Sequence, residues 1–324
     1  MSARLKGKSL LGSFGAFADR RRILAVALVA GVPLVAMPWI VGEFTLHVFT
    51  IAAYYVIVAA SWNLLAGFAG QFSLAQHAFA AMGAYTSGLL IYHLKTPIWL
   101  SVPLGVLAAA AAGWLLGRLV LRMRAIYLSI ATWAFAETFR IVLTAAYEFT
   151  RGDLGLSVPP LYGSVRGVAP YYTFVGCAAA CVLLMHLLLR SPLGYFMRAL
   201  KDDQLRAESL GVDTTQVKVF AFVISSAMAG LAGVLYAHYV LTLTPSIVDF
   251  SEMAKVIVMV AIGGLGYFAG PLLAVPPIHY LSTYLQAYGE WSMVVFAGIV
   301  IVIMRAYPGG LAALLIAARR RLGR

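Results

Sequence analysis

The chain has 324 residues, of which 62% are apolar and only 11% are charged. Charged residues make up about 25% of a typical globular protein, so this composition leaves too little polar surface for a water-soluble domain. The formal net charge of +12 does not indicate a nucleic-acid partner, because the basic residues of a multispanning membrane protein collect in its cytoplasmic loops. The composition predicts a chain whose solvent is mostly lipid.

Ten apolar runs lie between a basic segment at residues 1–22 and a basic tail at residues 307–324. They cover residues 23–41, 44–66, 73–94, 97–120, 126–147, 171–189, 218–241, 253–268, 270–288 and 291–306. A helix needs about 20 apolar residues to cross the hydrocarbon core of a bilayer. We therefore expect an all-α polytopic membrane protein with about ten transmembrane helices in residues 23–306. The two short runs between Met253 and Tyr288 could instead be one broken helix. The predicted count is eight to ten helices.

The distribution of lysine and arginine predicts the orientation of these helices. If the N-terminus lies inside, alternation leaves only Lys95, Arg151 and Arg166 in outer loops, while the other loop cations fall inside. This obeys the positive-inside rule and places both termini in the cytoplasm. Residues 148–170 then form a periplasmic loop rich in glycine and proline, and residues 190–217 form a cytoplasmic loop.

The cytoplasmic loop has the pattern of a helix. Pro192 suits a first helical turn, and Gly211 is placed to end the helix. Four apolar residues recur at helical spacing and predict one apolar face, namely Phe196, Leu200, Ala207 and Leu210. Asp203 is a polar exception on that face.

A second helix is expected to follow directly, because Asp213 and Gln216 resemble a capping box at its start. Helix, tight turn and helix together favour a rigid docking element for a soluble partner over an ordinary connecting helix. Its charged residues would orient that partner, and they are Arg198, Lys201, Asp202, Asp203, Arg206 and Glu208.

Ionisable residues at membrane depth are costly and are therefore candidates for a transport path. Glu137 and Arg140 lie three residues apart in the fifth run and can neutralise each other on one helix face. The alternative is a structural ion pair between helices.

A second candidate for the path is a cluster of small and uncharged polar residues, namely Gly67, Gly70, Gln71, Ser73 and Gln76. Such groups at a helix start can bind a zwitterionic solute without burying charge, although helix packing by small residues is an equal alternative. The pattern G-x-x-G-x-F occurs at residues 67–72 and again at residues 263–268, which is a weak internal similarity.

Motifs for nucleotide binding and metal binding are weak in this sequence. Residues 7–9 mimic the end of a P-loop, but the first glycine and the preceding strand are missing. Residues 264–269 fit G-x-G-x-x-A, yet they interrupt an apolar segment. The six histidines are scattered without metal-ligand spacing. We expect no catalytic residues, no metal site and no nucleotide site on this chain, so it is not predicted to be an enzyme.

Several stretches in order along the chain carry a resemblance to a known family, namely residues 64–76, 83–85, 150–156, 198–211, 263–266, 270–271 and 308–311. Together they resemble the permease subunits of branched-chain amino acid ABC importers, of the LivM type. The likeness runs from about Ser61 to Leu311.

The resemblance implies a type II ABC importer-like permease of the bacterial inner membrane. Its partners would be a second related permease, two cytoplasmic ATPase subunits that bind ATP and Mg²⁺, and a periplasmic solute-binding protein. Residues 198–211 would contact an ATPase, and this chain itself would hold no cofactor.

The solute implied by the resemblance is a branched-chain amino acid, but relatives of the same type carry urea, amides or aromatic acids. His77 stands where the family usually has a small residue, and Arg151 replaces a common glycine. A more distant alternative is an ion-coupled secondary transporter, with Glu137, Arg140 and the membrane histidines as coupling groups.

Overall fold

The structure, a computed structural model, describes residues 33–120, 125–163, 167–285, 289, 291–306 and 310–312. Several predicted features lie outside the described residues, namely the segment 1–22, nearly all of the tail 307–324, Arg122, Arg124 and Arg166. The chain divides into two compact units, Met1–Leu46 and His47–Arg324. All residues of the candidate site belong to the second unit.

The described residues form helices almost throughout. In chain order these are α1 (residues 33–40), α2 (Glu43–Trp62), α3 (Gln76–Leu94), α4 (Ile98–Val120), α5 (Ala125–Ala145), α6 (Tyr147–Thr150), α7 (Val168–Arg190), α8 (Pro192–Asp202), α9 (Gln204–Ser209), α10 (Thr214–Val240), α11 (Phe250–Gly263), α12 (Gly270–Leu285) and α13 (Trp291–Ala306). A π-helix at Asn63–Phe68 continues α2, and short 3₁₀-helices lie at Gly152–Leu154 and Pro245–Val248.

Five helices among the described residues are long and apolar enough to cross a membrane. They are Glu43–Phe68, Ile98–Val120, Ile126–Ala145, Val168–Arg190 and Thr214–Val240. Each coincides with a predicted apolar run to within a few residues. The expected class, an all-α polytopic membrane protein, is confirmed.

The helix α3 is not among these five, although it has 19 residues, because its polar residues lower its apolarity. It packs between α4 and α10, which take the place of lipid around it. Inside this packing, the Ser87 hydroxyl is hydrogen-bonded to Ser101 Oγ at 3.1 Å and to His238 Nε2 at 2.9 Å. Polar side chains are tolerated here since a neighbouring helix supplies each partner.

Glycines allow α3, α4 and α10 to approach each other closely. A Cβ built on Gly105 of α4 would lie 2.7 Å from the Gly83 carbonyl oxygen of α3 and 2.7 Å from Val234 Cγ2 of α10. Gly83 in turn lies against the backbone of Gly230. The hydrophobic effect does not drive helices together in lipid. Small residues at such crossings let the backbones come close, and van der Waals contacts then hold the helices together.

The predicted runs at residues 253–268 and 270–288 form two helices, α11 and α12, that pack against each other. The chain loops back between them, because Gly263 lies against the backbone of Gly270 after a turn of six residues. The two runs are therefore separate helices, and the number of times that they cross the membrane stays a prediction. The first run also ends at Gly263 rather than at residue 268, since Gly264 and Gly266 adopt positive φ angles that end the helix.

A two-stranded antiparallel sheet ties the segment after α6 to the segment after α10. Strand β1 is Leu156–Ser157 and strand β2 is Thr242–Leu243, and Leu156 pairs with Leu243. Both leucines are buried. We call this end of α10 the β-pair end, and the opposite end, where α8 and α9 lie, the short-helix end.

Glycine-to-alanine substitutions at the crossing and away from it are predicted to affect the free energy of unfolding differently. Gly105→Ala should lower the free energy of unfolding by about 1–3 kcal/mol, because the added methyl group overpacks the crossing. Gly176→Ala on α7 is the matched control, since nothing lies within 4 Å of the Cβ position there. That control should be neutral or stabilise by up to about 1 kcal/mol, as alanine favours helix. Denaturation of the full chain in detergent measures both, and equal effects would contradict the packing argument.

Candidate functional site

A π-helical turn marks the short-helix end of α2. Such turns are rare and frequently occur at functional sites. Asn63, the first residue of this turn, is fully buried, and its side chain is satisfied by the distant turn between α11 and α12. Asn63 Oδ1 accepts a hydrogen bond from Gly266 N at 2.9 Å, and its Nδ2 donates to the Tyr267 carbonyl oxygen at 3.0 Å. One side chain thus fixes the position of the α11–α12 turn against α2.

The two copies of G-x-x-G-x-F meet at this point. A Cβ built on Gly67 would lie 2.7 Å from Gly266 N, so a side chain at Gly67 would displace the turn. Gly70 and Gly266 have φ angles of +68° and +79°, which L side chains adopt rarely. The sequence similarity was evident, but the contact between its two copies was not predicted.

Lys201 brings the segment of α8 and α9 to the same point. Its Nζ donates a hydrogen bond to the Gly67 carbonyl oxygen at 2.7 Å. Its side chain also covers Gly70, where a Cβ would lie 3.3 Å from Lys201 Cα and Cγ. We call Asn63, Gly67, Gly70, Lys201 and Gly266 the glycine junction. It joins a residue predicted for the docking loop to two residues predicted for the transport path.

The docking loop consists of two helices rather than one. Asp203 has extended backbone angles, and its Oδ1 accepts a hydrogen bond from Arg206 N at 3.1 Å as the N-cap of α9. The helix α9 ends at Ser209, and Gly211 follows with a φ angle of +83°. Asp213 caps α10 as predicted, since its Oδ1 accepts a hydrogen bond from Gln216 N at 2.9 Å.

The single apolar face predicted for this loop is wrong. Phe196 is 42% exposed and Leu210 is 84% exposed, whereas Leu200, Ala207 and the unpredicted Met197 are buried. Leu200 and Ala207, on either side of the break at Asp203, are both buried, whereas Phe196, one turn before Leu200 on the same helix, is exposed. Leu210 follows the end of α9 and does not continue its helix.

The other charged residues of the loop are used in several ways. Arg198 donates to the Leu189 carbonyl oxygen at 3.2 Å and so satisfies the end of α7. Arg206 forms an ion pair with Asp203 at 2.9 Å, and Asp202 is exposed. Glu208 accepts hydrogen bonds from Gln204 Nε2 at 2.9 Å and from Thr214 Oγ1 at 2.7 Å, which lower the pKa of its carboxyl group.

The remaining polar residues of the predicted path form hydrogen bonds within the protein, although Gln76 Oε1 has no partner among the described residues. Gln76 Nε2 donates to Ser225 Oγ at 2.5 Å and to Ser61 Oγ at 3.3 Å. Gln71 bonds to the Ala69 carbonyl oxygen at 3.2 Å, and Ser73 Oγ accepts from Ala75 N at 3.2 Å. These bonds fit the helix-packing alternative, and the role of these residues in a transport path stays a prediction.

Glu137 and Arg140 form the expected ion pair, with Arg140 Nη2 and Glu137 Oε1 at 2.5 Å. Both side chains are about one-third exposed, and Arg140 Nε lies 3.9 Å from Asp249 Oδ1. The pair therefore reaches the segment that leads into α11. Neither open reading, a structural pair or a path, is decided by this geometry.

Asp249 belongs to a cavity of about 230 Å³ that the sequence did not predict. Its principal polar lining is Tyr54, Tyr55, His77, Tyr236, Asp249 and Glu252, and we call it the acidic cavity. The Tyr55 hydroxyl donates to Glu252 Oε2 at 2.6 Å, and Lys255 Nζ lies 2.6 Å from Glu252 Oε1. The signal that could have found it was the set of polar residues interrupting apolar runs, which also includes Asn63.

Among the described residues, no group of three or more histidine, cysteine or acidic side chains is placed to hold a metal ion. Apolar helices with buried polar contacts, glycine crossings and an internal cavity define a polytopic membrane protein of the permease class. The family described as "Branched-chain amino acid transport system / permease component" matches residues 44–304. The chain belongs to this family.

Three named relatives give the extent of the similarity. The LivM permease protein of the high-affinity branched-chain amino acid transport system of Escherichia coli K12 is 31% identical, over 94% of this chain and 78% of its own. The LivH permease protein of Salmonella typhimurium LT2 is 24% identical, over 81% and 92%. The BraD permease protein of Pseudomonas aeruginosa is also 24% identical over the same shares. The LivM-type resemblance is confirmed, and no solved structure matches the chain.

The hydrogen bond from Lys201 to Gly67 is expected to stabilise the short helices α8 and α9. Lys201→Met removes the donor to Gly67, and we expect amide hydrogen exchange in α8 and α9 to rise about fivefold, as for a lost hydrogen bond of about 1 kcal/mol. Arg206→Met is the matched control, because that cation belongs to the same loop and its side chain is 86% exposed. Equal exchange in both variants, measured by mass spectrometry, would contradict the role of Lys201.

The lowered pKa of Glu208 predicts a pH dependence. Because the two hydrogen bonds favour the ionised carboxylate, their stabilisation is present above the unfolded-state pKa and is lost as pH falls through the folded-state pKa. Exchange protection of α9, corrected for the intrinsic effect of pH, should therefore fall between pH 7 and about pH 3. Glu208→Gln should lack this acid-dependent part. A protection profile that is identical in both proteins would refute the prediction.

Proposed function

We propose that this chain is the permease subunit of an ATP-driven importer in the bacterial inner membrane. Separate subunits hydrolyse the ATP, and the solute is a branched-chain amino acid, as the names of the relatives indicate for those proteins. The observation that carries the proposal is the bond from Lys201 on the short helices to Gly67 at the end of a long apolar helix. A permease without its own motor needs such a link to receive movement.

The proposed topology has ten crossings with both termini in the cytoplasm. The positive-inside distribution of lysine and arginine supports it. In this topology the short-helix end is cytoplasmic and the β-pair end is periplasmic. The helices α11 and α12 have 14 and 16 residues, or about 21 and 24 Å, which is shorter than the hydrocarbon core of about 30 Å. Packing against neighbouring helices would allow these shorter elements.

The proposed partners follow the same division. Two ATPase subunits, which bind ATP and Mg²⁺, contact α8 and α9, and a second related permease completes the membrane domain. A periplasmic solute-binding protein delivers the solute at the β-pair end. Exposed apolar residues on the short helices, Phe196, Leu205 and Leu210, support a docking surface at the cytoplasmic end.

The proposed coupling has three steps. Closure of the ATPases moves α8 and α9, and α9 is tied to α10 by the hydrogen bonds from Thr214 to Glu208 and from Lys218 to Gln204. Lys201 transmits this movement to the π-helical end of α2. Asn63 then carries it to the α11–α12 turn. Each step runs through a hydrogen bond between two elements, so the side chains that link them need not rearrange.

Uptake by the complete importer tests the proposal. The complex is copurified from native membranes, reconstituted in liposomes with the solute-binding protein, and assayed for uptake of labelled leucine with and without ATP. We expect uptake that requires ATP and the ATPase subunits and that survives a protonophore. Uptake that persists without ATPases but collapses with the proton gradient would instead identify an ion-coupled secondary transporter. Competition by urea, amides and aromatic acids tests the alternative solutes.

Gly211 provides a sharper test of the docking loop. Gly211→Val places a β-branched residue at a φ angle of +83°, which strains the connection between α9 and α10. We expect ATP-driven uptake to fall by about tenfold, from about 1.4 kcal/mol of strain, while binding of the solute-binding protein is retained. Gly163→Val is the control, because this glycine also has nothing within 4 Å of its Cβ position and lies before α7, away from the short helices. Unchanged coupling of ATP hydrolysis to uptake in the Gly211 variant would argue against the loop assignment.

A further inference from the structure

The acidic cavity has a polar mouth and a buried floor. Thr242 and Ser246 beside its opening are exposed at the β-pair end, whereas Tyr54, Tyr55 and His77 on its floor are buried. One water needs only about 10–15 Å³ of such space, so a cavity of about 230 Å³ can admit a small solute. Its shape is that of an entrance from the β-pair end into the helices.

The charges around the acidic cavity do not balance. Within the part of the chain that the structure describes, the ion pairs here join the carboxylates of Glu137, Asp249 and Glu252 to the cations Arg140 and Lys255. Three carboxylates share two cations, which leaves one excess negative charge. Tyr54, Tyr55 and Tyr236 add no cation to the lining. The cavity therefore favours a positively charged group.

His77 is an independent sign of a ligand. It is only 2% exposed and lines the acidic cavity, and neither ring nitrogen has a hydrogen-bond partner within the described residues, where Gln76 Oε1 and Thr96 Oγ1 also lack one. A buried polar group without a partner costs about 1–3 kcal/mol, so native structures rarely keep one without a reason. A polar group of a bound solute would supply the missing partner.

We propose that the acidic cavity binds a small solute through its primary ammonium group, with Glu252 and Asp249 supplying the negative charge and His77 a polar contact. This inference rests on the proposed function, since it names the place where the imported amino acid first contacts this subunit. It also explains a charged cluster at this depth, because the ammonium group of a zwitterionic amino acid can pair with the excess carboxylate.

Thiol labelling tests the charge preference of the acidic cavity without requiring transport. In the complete complex, Cys177 and Cys181, the two native cysteines, are replaced by alanine, and Thr244→Cys places a thiol at the cavity wall. Cationic aminoethyl methanethiosulfonate should label this thiol about tenfold faster than anionic sulfonatoethyl methanethiosulfonate, relative to the same ratio at the surface control Gly163→Cys. Glu252→Gln, or Asp249→Asn as a second variant, should remove most of this preference.

Protection from labelling identifies the group that is bound. Leucine and isopentylamine, which carry an ammonium group, should slow labelling of Thr244→Cys, whereas 4-methylpentanoate, which lacks one, should not. His77→Ala should weaken protection by leucine. No charge preference, or equal protection by all three compounds, would overturn the ammonium site even if ATP-driven uptake is intact. The reverse pattern, an intact preference without uptake in the same liposomes, would refute the proposed function and leave the site.

Discussion

The hydrogen bond from Lys201 to the Gly67 carbonyl oxygen is the contact on which the arrangement at the short-helix end depends. It requires a carbonyl group that is not used by the helix, and Gly67 provides one because it lies in the last turn of the helix, where carbonyl groups have no intrahelical partner. It also requires a surface without side chains, which Gly67, Gly70 and Gly266 provide. Larger residues at these positions would not admit the lysine.

Two helices run from this junction to the acidic cavity, and they are joined at both places. On α2, Tyr55 and Asn63 are eight residues apart, or about 12 Å along the axis. On the other side, α11 carries Glu252 and leads into the turn at Gly266. Tyr55 is bonded to Glu252 at one level and Asn63 to Gly266 at the other. In the proposed coupling, these two links would carry a displacement at the junction to the cavity wall.

The sequence predicted the long helices well because their signal is local. Apolar length marks the membrane helices, and Asp213 marks the start of α10 through its own hydrogen bond to Gln216 N. The break at Asp203 was also locally encoded, because aspartate is a favoured N-cap, but helical periodicity on both sides concealed it. The cap at Asp203 ends α8 where periodicity alone predicts one continuous helix, whereas the exposure of Phe196 one turn before the buried Leu200 does not follow from this break.

The junction and the cavity could not be predicted in the same way, because each depends on residues far apart in the chain. Asn63 and Gly266 are separated by 203 positions, and Tyr55 and Glu252 by 197. No local pattern states that these residues meet. The sequence does show that polar residues are buried, because an asparagine, a histidine and a glutamate lie in or beside apolar runs. Burying such side chains is costly, so each needs a partner. Asn63 finds its partners in a backbone turn and Glu252 in Tyr55 and Lys255. His77 has no such partner within the described residues, and it is the side chain among these three that the proposed ammonium site would use as a polar contact.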